Sequence, residues 1–252
     1  MGGWATIVIA ALYFFAPLVI TGVFSLWEGR SRYGFAAYRG LLADGEMWSS
    51  LLLSFRLSIE TIALGLVLLL PAMIFVHLRA PRLRPLFEFI SALPFVVPAI
   101  ALVAGLTALY TGPDWLIGTP NYLVIPYFFL ALPYAYRALD VGLSALDLRT
   151  LTEAGQSLGA SWPQILFRVV LPNLVSAMLG AILLTLAIVM GEFTFANILL
   201  FRTFAVYITD VGQSAVTEAA ALTLLSFAIT WGAMLGVLAT GRGRTAQVGG
   251  AH

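Results

Sequence analysis

A chain of 252 residues that is 61% hydrophobic and only 10% charged lacks the composition of a soluble domain, in which about a quarter of the residues are charged. Its net charge of +1 gives no reason to expect a nucleic-acid partner. The absence of cysteine excludes disulfides and thiolate chemistry, and the absence of lysine excludes a P-loop, whose lysine reaches the nucleotide phosphates. We therefore predict no catalytic residue, no metal site and no cofactor in this chain, and we do not expect it to be an enzyme.

Apolar segments long enough to cross a bilayer follow one another along the chain. We predict an all-α integral membrane protein with a single transmembrane domain over residues 1–252. The first apolar stretch is too long for a signal-peptide core and has no basic region before it, so we expect it to be retained. The predicted spans are roughly 4–26, 50–78, 86–110, 121–139, 173–200 and 216–240.

The arginines predict the orientation, since basic residues concentrate in cytoplasmic loops. With the N-terminus inside, eight arginines fall on the inner side and four on the outer side, so we expect both termini in the cytoplasm. The inner set is Arg79, Arg82, Arg84, Arg137, Arg149, Arg168, Arg242 and Arg244; the outer set is Arg30, Arg32, Arg39 and Arg202.

The polar stretch 140–172, between the fourth and fifth predicted spans, has the pattern of two short cytoplasmic helices. Thr150 and Glu153 have the spacing of a capping box, so a first helix is predicted to begin at Thr150. It would run to Leu158, because Gly159 is a suitable residue for a helix stop.

A second short helix is predicted after this stop. Ser161 caps it with Gln164 as the reciprocal partner, and it ends near Pro172. Small side chains around the turn would allow another protein to approach closely. They are Ala154, Gly155, Gly159 and Ala160.

The run from Glu153 to Ala160, followed by Leu171 and Pro172, resembles the EAA loop of binding-protein-dependent ABC importer permeases. Gly155 departs from this pattern, which usually has alanine, and lowers helix propensity by up to about 1 kcal/mol. The resemblance implies that the segment is a coupling helix–turn–helix that docks on an ATPase. The implied coupling residues are Glu153, Ala154, Gly155, Leu158, Gly159, Ala160, Leu171 and Pro172.

The resemblance also implies the assembly. A second permease subunit, identical or related, would complete the path, two ABC ATPase subunits would bind ATP and magnesium, and an extracytoplasmic solute-binding protein would deliver the solute. The expected location is the bacterial inner membrane, and the expected mechanism is alternating access.

The solute is predicted from two further stretches. Residues 93–100 and the run Gly191-Glu192-Phe193 are similar to permeases for spermidine/putrescine, iron(III), thiamine, and sulfate or molybdate, and a polyamine is favoured. Glu192, Phe193 and Tyr134 are the candidate path residues, because an acid inside a span usually faces a polar path or a partner. Glu192 could instead cap a helix end or contact the docking protein.

Two other acids and one histidine are less favoured as functional residues. Asp140 and Glu60 are weaker path candidates, since both lie near predicted membrane surfaces. His77, with no second histidine nearby, is expected to be an interfacial residue rather than a ligand.

The sequence leaves other functions open. A secondary transporter or channel subunit would need its own coupling charges and gives no reason for the inner helix–turn–helix. An intramembrane enzyme would want a nucleophile with a base or a metal pair, and a purely structural membrane subunit is the third alternative.

Overall fold

The structure, a computed structural model, describes residues 2–30, 32–109, 112–113 and 115–248. Over these ranges the chain is helical, and its only extended pairing is an isolated antiparallel bridge between Trp27 and Tyr33. The predicted all-α membrane fold is confirmed.

The helices follow closely on one another, with short connections. In chain order they are α1 (Gly2–Ser25), α2 (Ala36–Ala43), α3 (Gly45–Arg79), α4 (Arg84–Val96), α5 (Ala99–Leu109), α6 (Val124–Ser144), α7 (Leu148–Ser157), α8 (Trp162–Ile165), α9 (Leu171–Asn173), α10 (Val175–Gly191), α11 (Thr194–Ile198), α12 (Phe204–Ser214) and α13 (Val216–Val248). Short 3₁₀ turns at Pro81–Leu83 and Pro120–Leu123 precede α4 and α6, and a π-helical segment, Leu166–Val170, joins α8 to α9.

Five helical segments of the described chain are long and apolar enough to cross a bilayer: Trp4–Ser25, Gly45–Arg79, Pro120–Ser144, Val175–Ile198 and Val216–Ala239. A bent pair of helices, Pro81–Val96 with Ala99–Ala108, passes the same test together and would be a sixth.

The third predicted span, 86–110, differs from the structure in shape. It is divided into α4 and α5, which are bent by 102° at the break, and its last residue, Tyr110, lies outside the described residues. Val97, between the helices, has extended backbone with ψ 115°. A residue before proline favours this conformation, and Pro98 has no N–H to continue the ladder, so the helix ends here.

The chain divides into two compact units. The first comprises Met1–Leu53 and Arg202–Gly232, and the second Ser54–Phe201 and Ala233–His252. The prediction of one permease domain stays a prediction.

Polar side chains join the segments of the first unit. Arg202 forms ion pairs with Glu46 and with Asp210, the latter at 2.8 Å from Nη1 to Oδ2. The hydroxyl of Tyr207 donates to the carboxylate of Asp44. This hydrogen bond holds the pKa of Asp44 below its ordinary value of 3.8.

The core of the second unit lies around α6, which packs against α10 and α4. Gly142 allows α6 and α10 to approach closely, because a Cβ at this position would lie 2.3 Å from the Cβ of Ala177. Buried apolar side chains continue from this contact into the polar stretch that follows α6. They include Leu139, Leu143, Leu148, Ile165, Val170 and Leu174.

Candidate coupling site

The helix α7 begins one turn earlier than its sequence predicts. Asp147 is its N-cap: the carboxylate accepts the backbone N–H of Thr150 at 3.1 Å and the Thr150 hydroxyl at 2.7 Å. These hydrogen bonds lower the pKa of Asp147. The predicted capping box at Thr150 is therefore wrong, because an aspartate three residues upstream is a stronger cap than threonine.

Glu153 lies on the exposed side of α7. Its carboxylate accepts a 2.9 Å hydrogen bond from Nε of Arg149, one turn earlier, which raises the pKa of Arg149. An exposed pair of this spacing contributes only a few tenths of a kcal/mol. The Glu153 carboxylate could therefore leave Arg149 and pair with a cation on another protein at little cost in helix stability.

The turn after α7 has the predicted glycine stop. Gly159 has φ +79°, its N–H donates to the carbonyl of Gln156 at 2.9 Å, and the N–H of Ala160 donates to Gly155 at 3.0 Å. These two bonds form a Schellman motif, which satisfies the last carbonyls of the helix. The preceding residue, Leu158, projects with 88% of its surface exposed.

The second helix starts as predicted but does not stop as predicted. The capping box of Ser161 and Gln164 is present, with the Ser161 N–H donating to Oε1 at 2.7 Å. The expected end near Pro172 is wrong, because α8 continues through the π-helical segment and α9 into α10. The wider π-helical turn just before Pro172, in which the Leu171 N–H donates to the Leu166 carbonyl, accommodates the proline within the helical path.

Gly155 has a packing role that its sequence position does not reveal. A Cβ here would lie 2.9 Å from Cγ1 and 3.2 Å from Cδ1 of Ile165, a fully buried residue of α8. The departure from alanine noted above therefore brings α7 and α8 into close contact.

We define the coupling hairpin as residues 147–165. One side of it is buried, through Leu148, Thr152 and Ile165. The other side carries Glu153 and borders a cleft of about 390 Å³, which is lined by Leu78, Arg79, Arg149, Thr152, Glu153, Gln156 and Trp162.

A buried charged cluster lies where α6 approaches the hairpin. Oδ1 of Asp140, a residue only 8% exposed, lies 3.0 Å from Nη2 of Arg84 and 3.2 Å from Nε2 of His77. Arg84 also donates to the hydroxyl of Ser144 at 2.9 Å. The cluster ties the end of α3 and the start of α4 to α6.

His77 is therefore not the isolated interfacial residue expected from the sequence. Asp140 lies 63 positions after His77 and 56 positions after Arg84 along the chain, so no local spacing could indicate the contact. The one available signal was that Arg84 and Asp140 carry opposite charges near the same predicted membrane surface.

The three candidate path residues do not meet in one site. Glu192, 7% exposed, lies between α10 and α11, where its two carboxylate oxygens accept the N–H groups of Phe195 at 2.9 Å and Ala196 at 3.4 Å. It thus caps α11, one of the roles left open above. Phe193, beside it, is half-buried.

Tyr134 lies elsewhere, on α6. Its ring packs against Phe95 of α4, with 5.6 Å between the ring centroids. It lines a cavity of about 900 Å³ between α4, α6 and α10, to which neither Glu192 nor Phe193 contributes.

A comparison with protein families identifies one match. The family described as "Binding-protein-dependent transport system inner membrane component" matches residues 62–242, well over half of the chain. The match includes the coupling hairpin, the Asp140 cluster and Glu192. No curated protein matches the chain significantly.

Proposed function

The chain belongs to the family of binding-protein-dependent transport system inner membrane components, and we propose that it is the permease subunit of an ATP-driven importer. The observation that supports this proposal is the coupling hairpin, in which the Asp147 cap, the Schellman turn and the Ser161 capping box fix an exposed tip. Because the chain has no lysine for a P-loop, ATP and magnesium would bind to a separate ATPase subunit.

The hairpin has the surface chemistry of a docking element. Leu158 offers an uncovered apolar side chain at its tip, and Glu153 offers a carboxylate whose present partner contributes little. An apolar anchor with a neighbouring charge suits a cleft on another protein. The buried side, held by Ile165, would transmit displacement of the tip to the bundle.

The mechanism that fits this arrangement is alternating access. ATP must interact differently with the two states of the transporter to shift their populations. Two ATPase subunits would do so by closing on ATP and moving the hairpins of two permeases. A solute-binding protein would dock on the opposite side of the bacterial inner membrane, with both termini of the permease in the cytoplasm.

The test of coupling is the substitution Glu153→Arg in the complete transporter, reconstituted in vesicles with its ATPase and binding protein. We expect ATPase co-purification or ATP-driven uptake to fall about tenfold or more, since a like charge would replace the carboxylate at the docking surface. The double variant Arg149→Glu/Glu153→Arg restores the pair within α7.

The double variant separates docking from helix stability. If Glu153 contacts the ATPase subunit, both the single and the double variant should lose ATPase co-purification or ATP-driven uptake. Full recovery in the double variant, or normal uptake in the single one, would contradict the docking role. Uptake driven by an ion gradient without ATP would instead identify a secondary transporter.

For the solute we propose a polyamine, with Glu192, Phe193 and Tyr134 along its path. Residues 93–100 and 191–193 are similar to permeases for this whole group of solutes, and the acid Glu192 would suit a cationic member of it such as a polyamine. Uptake of each labelled solute by the complete transporter tests it, and saturable ATP-dependent uptake of another solute alone would reject it.

Glu192→Gln tests the path role separately from capping. The glutamine retains an oxygen that can accept from Phe195, but it removes the charge that a cationic solute would require. We expect lower polyamine uptake with normal assembly. Unchanged uptake would leave capping as the whole role of Glu192.

A further inference from the structure

Two adjoining clefts lie where the end of α3 meets the coupling hairpin. The polar cleft is the one of about 390 Å³ described above, which Glu153 borders. The apolar cleft, of about 350 Å³, shares Leu78, Arg79 and Trp162 with it. The other residues that line the apolar cleft are Pro71, Ile74, Phe75 and Leu166. The two clefts together therefore form a space with a charged end and an apolar end.

The apolar cleft follows one face of α3. Its residues on this helix recur every three or four positions, so they share a face. Pro71 lies about 12 Å from Arg79 along the axis, by helix rise. Between Glu60 and Arg79 the sequence has no acidic residue, lysine or arginine, and α3 passes the test for a membrane span. The apolar cleft thus extends from the charged end of the span into the part that hydrocarbon would surround.

Arg79 gives the polar cleft a net positive charge. The other two charged residues that line this cleft, Arg149 and Glu153, pair with each other at 2.9 Å. Within the part of the chain that the structure describes, the exposed guanidinium of Arg79 has no hydrogen-bond or ion-pair partner. A guanidinium can bind a phosphate through two parallel hydrogen bonds, and basic residues at the ends of spans attract anionic lipids.

Trp162 lies at the junction of the two clefts, with 44% of its surface exposed. An indole has a large apolar ring and one N–H donor, which makes tryptophan typical of the boundary between headgroups and hydrocarbon. Phe75, on the apolar side, is 58% exposed. The order of charge, indole and apolar surface along α3 therefore matches the order of groups in a phospholipid.

We propose that the two clefts together bind one anionic phospholipid, with its phosphate on Arg79 and an acyl chain along Phe75 and Leu166. A headgroup of charge −1 neutralises the one net positive charge of the polar cleft, whereas a choline headgroup brings its own cation and leaves that charge in place. The bound lipid joins the end of α3 to Trp162 of the coupling hairpin. The site belongs to this chain alone, so it does not depend on docking to an ATPase.

The test uses the purified full-length chain in an uncharged detergent, titrated with phosphatidylglycerol or with phosphatidylcholine of the same acyl chains. Native mass spectrometry measures the lipid-bound fraction. We expect one phosphatidylglycerol to bind about tenfold more tightly than phosphatidylcholine, because only the former carries a net charge opposite to that of Arg79. Equal affinities would overturn the proposal. Inorganic phosphate at the same concentration should leave lipid binding unchanged, and displacement by it would identify an anion site without acyl-chain recognition.

Substitutions at Arg79 test the headgroup end. Arg79→Gln should weaken phosphatidylglycerol binding about tenfold, whereas Arg79→Lys, which keeps the charge, should retain it to within about threefold. Arg82→Gln is the matched control, because Arg82 is also exposed, lies three positions later and lines neither cleft. Equal weakening by Arg79→Gln and Arg82→Gln would show that lipid responds only to the total charge of the loop, and would overturn the site.

A substitution in the apolar cleft tests the acyl-chain end. Phe75→Ala should weaken phosphatidylglycerol binding about threefold or more, since it removes apolar surface from the lipid. Phe89→Ala is the control, because Phe89 is 66% exposed on α4 and lines neither cleft. Normal lipid binding by Phe75→Ala would reject the acyl-chain position. Normal lipid binding by both Arg79→Gln and Phe75→Ala, with loss of a co-purifying protein, would show that a protein occupies the clefts instead.

Discussion

At the scale of single residues, the carboxylate of Asp140 holds three helices of the second unit together. His77 donates from Nδ1 to the carbonyl of Met73 at 2.9 Å, since a carbonyl can only accept, and this fixes Nε2 towards Asp140. Arg84 approaches the same oxygen from the start of α4. Removing the carboxylate would leave the half-buried guanidinium of Arg84 without its anion and would remove the group that Nε2 of His77 faces.

Asp140→Asn is therefore expected to lower the free energy of unfolding by about 2–4 kcal/mol, as for other broken buried pairs with one partly exposed member. Thermal unfolding of the purified protein in detergent measures it. Asp210→Asn, which breaks the exposed pair with Arg202, is the control and should change stability by less than about 1 kcal/mol. Equal losses of stability in the two variants would show that the Asp140 cluster stabilises the fold no more than the exposed Arg202–Asp210 pair does.

A second residue-scale prediction concerns pH. Hydrogen bonding from Tyr207 lowers the pKa of Asp44 in the folded state below its ordinary 3.8. The bond therefore stabilises the fold at pH values above 3.8, and this contribution is lost as the pH falls through the folded-state pKa.

Tyr207→Phe should accordingly lower stability by about 1 kcal/mol near neutral pH, with a smaller difference from the natural protein in acid. Unfolding is measured at about pH 7 and at about pH 3, on the acid side of the ordinary carboxyl pKa. Tyr33→Phe, which removes an exposed phenol, is the control. A Tyr207→Phe defect that is the same at both pH values would contradict the role of Asp44.

At the scale of elements, the coupling hairpin depends on local signals and on one contact that is not local. The glycine stop and the Ser161 capping box could be predicted because the interacting residues are three to five positions apart. The start of α7 was misplaced because Asp147 and Thr150 offer competing caps. The need for glycine at position 155 was invisible, since it comes from Ile165 across the turn.

Gly155→Ala tests that contact. Alanine favours helix by up to about 1 kcal/mol, but fitting a methyl group beside a fully buried Ile165 should cost about 1–3 kcal/mol, so we expect net destabilisation. Thermal unfolding and ATPase co-purification are the measurements. Gly40→Ala in α2, where a Cβ meets nothing within 4 Å, should be neutral or stabilising. A stabilised Gly155→Ala protein would show that α7 and α8 separate easily.

At the scale of the whole molecule, the number of crossings decides the topology. Composition and apolar lengths were sufficient to predict the membrane fold and most spans. They could not predict the short helices α2 and α12, which lie in stretches read as loops, nor the 102° bend between α4 and α5. Five spans place the two ends of the chain on opposite sides, and a sixth crossing by the bent pair places them on the same side.

The arginine distribution favours the same side, in the cytoplasm. A reporter that fluoresces in the cytoplasm should therefore be fluorescent when fused before α1 or after residue 239. Alkaline phosphatase fused at the same two positions should be inactive. A fusion within the loop at residue 146 should behave in the same way. Phosphatase activity at only one end would show that α4 and α5 turn back without crossing.

The near-continuous helical path from Trp162 to Gly191 has a mechanical consequence. Thirty residues of helix extend about 45 Å, from the capped base of α8 to the point where Glu192 ends α10. Acting as a lever, a rod of this length that tilts by about 10° moves its far end by about 8 Å. The π-helical segment lies close to the coupling hairpin, which would be the moving end in the proposed mechanism. Flexibility in this segment would reduce the displacement that reaches the far end of α10, and a stiffer segment would increase it.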